Sequence, residues 1–203
     1  MIIFHYLILM AFTVCLVSAA ASSDSFPSIL RTLSEAPCVE LEFVAVIESD
    51  VFGSIDSTEG SASLARDGRF RAQLGAETYW QDSLHLYSYS IETNQVIVEK
   101  VKPADGTDAW PLLTRLDSLY TSEVIRADYR YRLRRRVGVE ADIPDSMIVT
   151  IDSTTSMIVQ LSFFDINGEL NRILIQKQTT DGPCDPERFK PDYPDSADVV
   201  RMY

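Results

Sequence analysis

The sequence predicts an α+β fold: an incomplete antiparallel β-barrel, in effect one curved sheet, with short helices covering an apolar cavity. Three observations carry this. From Cys38 onward apolar residues recur at every second position, in about nine strand-length runs separated by turn residues. There is no strand–helix–strand alternation, so a doubly wound parallel sheet is excluded. Two stretches have helical spacing instead, and they are the only elements available to cover the apolar face of so large a sheet. A half barrel closed in this way has room for an apolar ligand.

The elements follow in chain order. "MIIFHYLILMAFTVCLVSAA" runs from an apolar core into small residues and holds no Lys, Arg or acid. It reads as a secretory signal peptide over 1–21, leaving one domain, 22–203, outside the cytoplasm. Phe12-Thr13-Val14 before Cys15 lacks the small residue of a lipidation site. In "DSFPSILRTLSEA" a cap at Asp24 or Ser25, Pro27 near the first turn, and Phe26, Ile29, Leu30 and Leu33 at helical spacing predict a short amphipathic helix. "CVELEFVAVIES" then switches to a period of two. The polar run from Asp50 to Gly60 reads as a turn, "ETYWQDSLHLYSYS" as one strand, and "NQVIVEKV" as the next. "DAWPLLTRLDSLY" spaces Leu112, Leu113, Leu116 and Leu119 as a second helix. Four more strands are expected at Tyr129–Arg135, Met147–Ile151, Met157–Phe164 and Leu170–Lys177, with Asn167-Gly168 turning between the last two.

"SASLARDGRFRAQL", Ser61 to Leu74, is a hairpin whose register matters. A two-residue Asp67-Gly68 turn would set Arg66 opposite Arg69, and facing like charges are destabilising. A loop one residue longer, with a glycine bulge, gathers Ala62, Leu64, Arg66, Phe70, Ala72 and Leu74 on one face. Arg66 is then a strand-end arginine that snorkels to water, or a charge on an apolar face with a task.

Lys and Arg number 18 against 30 Asp and Glu, a formal charge of −12, which argues against nucleic acid as a partner. The local exception is "RADYRYRLRRR", where Arg126, Arg130, Arg132, Arg134, Arg135 and Arg136 alternate in part with Tyr129, Tyr131 and Leu133. It reads as a strand with a cationic outer face, either balancing acids on neighbouring strands or docking an acidic partner. After loss of the leader only Cys38 and Cys184 remain, and an even pair in an oxidising compartment predicts one disulfide. Beyond His5 in the leader, His85 is the sole histidine. With no phosphate loop and no cysteine or histidine cluster at ligand spacing, no enzyme activity, cofactor or metal is expected.

The order of helix, strand, "GSASLARDGRFR", "WQDSLHLYSY", "NQVIV", a helix with Pro-Leu-Leu, and the tail "RFKPDYPDSADVV" resembles the LolA family of periplasmic lipoprotein carriers over nearly all of the mature chain. Arg66 and Phe70 match the family's arginine, turn and phenylalanine, with Ala72 where an aromatic is usual. Asp82, Tyr87 and Tyr89 match its aspartate and tyrosine stretch, with Ser83 replacing glycine. Phe189, Pro194 and Val199 follow its closing pattern approximately.

The resemblance implies a monomeric carrier whose cavity shields lipoprotein acyl chains, taking them from an inner-membrane lipoprotein-releasing transporter to an outer-membrane acceptor. The alternative is a module of the same fold that senses acyl chains without delivering them. It further implies that Arg66 latches the lid helices from within the sheet. The cavity lining is then expected from Ile29, Leu30, Leu33, Phe43, Leu64, Phe70, Ala72, Leu74, Leu112, Leu113, Leu116, Tyr129, Tyr131 and Leu133. The physical need is plain, since even ten lipid methylenes left in water cost about 8 kcal/mol.

Overall fold

The computed structural model of the protein describes residues 25–101, 112–126, 129–139 and 143–202, so the expected leader lies outside the described residues. Helix α1 (Ser25–Glu35) leads into β1 (Cys38–Ser49), β2 (Ser54–Ala65), β3 (Phe70–Leu74), β4 (Glu77–Gln81), β5 (His85–Ser90) and β6 (Gln95–Lys100). Helix α2 (Leu112–Leu119) then precedes β7 (Tyr120–Arg126), β8 (Arg130–Arg135), β9 (Ser146–Ile151), β10 (Ile158–Phe164) and β11 (Leu170–Thr179). A 3-10 turn over Pro186–Phe189 and a last strand, β12 (Asp198–Met202), complete the order.

All of these strands form one curved 12-stranded sheet in the order β12-β6-β5-β4-β3-β2-β1-β11-β10-β9-β8-β7. Neighbours are antiparallel except β12, which pairs parallel to β6. The order is linear, with β12 and β7 as free ends, so the barrel is incomplete, as expected.

The sheet has more strands than the sequence pattern predicts, for local reasons. The turn expected over Asp50–Gly60 is confined to 50–53; polar β2 is held by an unbroken ladder from Ser49↔Ser54 to Cys38↔Ala65. "ETYWQDSLHLYSYS" splits because the Asp82 carboxylate accepts from the N–H groups of Leu84 and His85 at 2.6 and 2.7 Å, folding the backbone into an Asx turn. The leucine spacing of α2 stops at Leu119, and Tyr120 opens β7, paired with β8 and absent from the sequence reading. β12 carries no strand-length apolar run; its partner, β6, supplies the pattern instead.

Alternation decides which face is buried. In β1 the odd positions Val39, Leu41 and Phe43 join Ala62 and Leu64 of β2, Phe70 and Ala72 of β3, Met147 and Val149 of β9 and Tyr131 and Leu133 of β8 in one cluster with the helices. Helix α1 spans only about 16 Å against about 40 Å for β1. Accordingly Ala45 is half-buried and Ile47 exposed farther along the same face. On the opposite face Trp80, Tyr89, Val96 and Val98 form a second core under Tyr193, Ala197 and Val199 of the tail. Asn94, at φ 49°, ties the tail down by donating to the Ser196 carbonyl at 2.9 Å.

Gly60 fixes how close β1, β2 and β3 lie. Phe43 is its ladder partner, and a Cβ at Gly60 would stand 2.5 Å from the Phe43 ring and 2.9 Å from the Gln73 carbonyl oxygen. The glycine therefore makes the seat for the aromatic ring. Gly60→Ala is expected to destabilise the fold by about 1–3 kcal/mol, as overpacking does. Chemical denaturation checks this, and adding Phe43→Leu should recover part of the loss.

Candidate functional site

The candidate site is the inner face of the sheet together with the helices across it. α1 presents Phe26, Ile29, Leu30 and Leu33 to the sheet, all buried, and α2 adds Leu116 and Leu119. The two helices also touch each other. α2 is the described part of the crossing from β6, beside one end of the sheet, to β7 at the other. Phe26 is fully buried, its ring stacked on Tyr131 with centroids 4.4 Å apart. The concavity is thus occupied by the helices' own side chains.

The expected lining residues meet here. Ile29, Leu30, Leu33, Phe43, Leu64, Phe70, Ala72, Leu116, Tyr131 and Leu133 are buried in one cluster, with Leu74, Leu113 and Tyr129 half-buried against it. Leu112 opens α2, but its side chain lies outside the described residues. The sequence reading missed Met147, Val149, Leu161 and Ile175, which complete the wall on the β9–β11 side. Their signal was the strand character of "MIVTI", "IVQLSFF" and "RILIQ", legible as strand but not as facing α1 until the sheet order is known. Gln81 stands on this face opposite Phe70, 6% exposed, and its Oε1 is a buried acceptor with no donor among the described residues. That atom is a polar mark on an apolar wall.

The hairpin register is the longer one. Leu64 faces Phe70 and Ala62 faces Ala72, while Gly68, at φ 92°, donates to the Ala65 carbonyl and closes a three-residue loop. Arg66 is nonetheless not on the apolar face. β2 ends at Ala65, so strand parity stops there; Arg66 is an exposed turn residue whose N–H donates to the Pro37 carbonyl at 3.2 Å. The expected latch from within the sheet is corrected accordingly. Arg69 is the engaged arginine: it forms an ion pair with Asp67 at 2.8 Å, and its guanidinium lies 5.2 Å from the Phe189 ring centroid. Its hydrogen bond holds the Asp67 carboxyl below the usual carboxylate range.

Cys38 and Cys184 lie side by side in a small cluster with Ala65 and Phe189, their sulfurs 2.8 Å apart and both thiols free. Burial, then the Cys184 hydrogen bond, pushes the Cys38 thiol up to about 12. In the arginine-rich segment Tyr131 and Leu133 point inward, while Arg132 and Arg134 both pair with Glu123 of β7 and Arg135 pairs with Asp145. Three of the segment's six arginines are therefore paired with two carboxylates of the same chain. His85 stacks edge-on against Tyr87 with centroids 6.0 Å apart. Among the described residues no group of three His, Cys, Asp or Glu could hold a metal, and no helix is long and apolar enough to cross a membrane.

The chain matches no protein-family model and no curated protein. Among solved structures it is similar to an uncharacterized conserved protein from Thermus thermophilus, at 13% identity and a TM-score of 0.51, over 87% of this chain and 98% of that one. It is also similar to a LolA superfamily protein from Nitrosomonas europaea, at 9% identity and a TM-score of 0.44, over 81% of this chain and 97% of that one. A third, a putative outer membrane lipoprotein-sorting protein domain from Vibrio parahaemolyticus, has 6% identity and a TM-score of 0.44, over 80% of this chain and 94% of that one.

Two outcomes are expected from this geometry. Oxidation should join Cys38 to Cys184 across 146 positions of sequence, worth about 5 kcal/mol in the chain-entropy model. The reduced protein, whose Cys38 pKa is raised from 9.0 to about 12 on folding, should lose stability as pH climbs through that window, and the oxidised protein should lose less. Thiol counting and melting curves against pH check both. Arg66→Ala should change stability by less than about 0.5 kcal/mol, whereas Arg69→Ala should cost about 1 kcal/mol.

Proposed function

We propose that this protein carries lipid: its inner face shields acyl chains, with α1 and α2 as the lid that yields to them. The observation that carries the reading is the covered apolar face itself, closed by two short helices instead of by further strands. Magnitudes support an exchange. The four buried side chains of α1 are worth roughly 6–12 kcal/mol of burial, and ten methylenes of an acyl chain about 8 kcal/mol. Lid and cargo are thus near parity, which suits a protein that must both take up and release.

Within this proposal the cargo is the acyl chains of a lipoprotein, shielded across the periplasm between an inner-membrane lipoprotein-releasing transporter and an outer-membrane acceptor. The LolA resemblance of the motifs at Phe70, Asp82 and Tyr87 to Tyr89 supports that assignment. Gln81 Oε1 supplies an acceptor for a donor such as the amide N–H of an acylated residue. The monomer and the cleaved leader belong to the same proposal.

Native mass spectrometry of the protein mixed with a diacylated lipopeptide tests the reading. The expected result is a one-to-one adduct that Leu33→Asp, on the buried face of α1, weakens. No adduct with the lipopeptide would contradict lipoprotein carriage, and no adduct with a free fatty acid either would contradict lipid binding altogether. Gln81→Leu should raise the melting point of the empty protein, because it removes an orphaned acceptor worth about 1 kcal/mol or more, and should weaken an amide-linked acyl ligand more than a free fatty acid.

A further inference from the structure

The β1–β2 and β10–β11 hairpins lie side by side in the middle of the sheet and end at the same rim. Their ladders align Ile55, Glu48, Leu170 and Phe164 in one row across four strands. Directly paired residues share a face, and the even positions of β1 face away from the helices, so this row is on the outer side. Ile55 and Phe164, at its two ends, are 67% and 63% exposed. Beyond the row the hairpin tips add Val51 and Phe52, each 81% exposed, and Ile166 at 95%. Single exposed apolar residues are ordinary on a protein surface; five large ones gathered on two adjoining tips are not.

The charge around them is one-sided. The β1–β2 segment from Val44 to Glu59 carries Glu48, Asp50, Asp56 and Glu59 and no basic residue, and the β10–β11 segment from Gln160 to Ile173 carries Asp165 and Glu169 against Arg172 alone. Arg172 is taken up by Glu48. Asp50 at the tip and Glu59, on the outer face opposite Val44, are exposed and form no ion pair among the described residues, while Asp56, opposite Ile47, is exposed on the inner face. An anionic membrane surface would be repelled by this ring, and a second copy of the same rim would bring like charges together. The complement in both chemistry and sign is a protein segment that alternates basic and apolar side chains.

We infer that this rim, built from the tips of the β1–β2 and β10–β11 hairpins, is the docking surface for a partner protein through a basic, apolar segment. It lies on the outer side of the sheet, away from the helix-covered face, and does not depend on lipid carriage. The apolar tips supply contact area, and the carboxylates steer and select.

The test uses the full chain and a short fluorescent peptide of alternating lysine and leucine, with binding followed by anisotropy. The account expects binding that weakens as salt rises. It expects a loss of about tenfold or more both in Phe52→Ser/Ile166→Ser and in Asp50→Lys/Glu59→Lys, Glu59 sharing the outer face with its partner Val44. All four positions are exposed, so both variants should keep the wild-type melting temperature. Val137→Ser, an exposed site off these hairpins, should bind as the wild type does. Equal binding of a glutamate–leucine peptide, indifference to the rim substitutions, or rim-dependent binding to phosphatidylcholine vesicles with none to the peptide would each overturn the inference. So would rim-dependent dimerisation without peptide binding.

Discussion

The constraint on which the rest of the structure depends is the burial of one long apolar face by very little chain. Twelve strands curve into an open sheet, and α1 and α2 together supply 11 and 8 residues to cover it. Inner-face positions are therefore covered by helix only within reach of these two short segments. The central strands extend well beyond that reach, which is why Val39, Leu41 and Phe43 are buried while Ile47, on the same face of β1, is exposed. Closure into a barrel would have removed the sheet ends and the need for helices; the linear strand order leaves both.

The opposite face is managed differently along its length. Over β4, β5 and β6 the C-terminal tail lies against Trp80, Tyr89 and Val98 and adds β12 at the end of the sheet. The start of the tail is held at the other side of β3 by Phe189, which sits under Arg69 and beside the paired thiols Cys38 and Cys184. One cysteine stands at the first residue of β1 and the other enters the tail, so their bond would fasten the C-terminal covering to the centre of the sheet. The rim of the two central hairpins is left without such cover, and there Val51, Phe52 and Ile166 stand exposed among carboxylates that outnumber the one arginine.

Much of this was legible in the residues. Period-two alternation located β1 at its observed limits, Cys38–Ser49, because that strand is buried on one face only. Charge repulsion selected the longer loop at Asp67-Gly68, and the register obeys it. What the sequence hid has a physical cause in each case. β2 is polar over half its length and is specified by its partner, not by its own pattern. β12 is a strand only through its parallel pairing with β6. Arg66 was misplaced because parity was carried one residue past the point where the turn hydrogen bond from Gly68 to Ala65 ends the strand. That residues such as Ile29, Leu33, Phe43 and Leu133 share a buried cluster was legible, since helix and strand periodicity mark buried faces directly, but which strand each helix meets required the sheet order.

The central claim is that α1 and α2 cover the inner face reversibly while the sheet beneath stays folded. Native-state hydrogen exchange tests it most directly, because it separates local opening from global unfolding. The account predicts that amides of α1, Ile29 to Leu33 among them, exchange through an opening well below the global unfolding free energy, that β1 and β11 exchange only at the global limit, and that a bound acyl chain slows exchange in the central strands without protecting α1 to the same degree. If the amides of α1 exchanged only with those of β1 and β11, the helices would be a fixed part of the core and the lid would be contradicted.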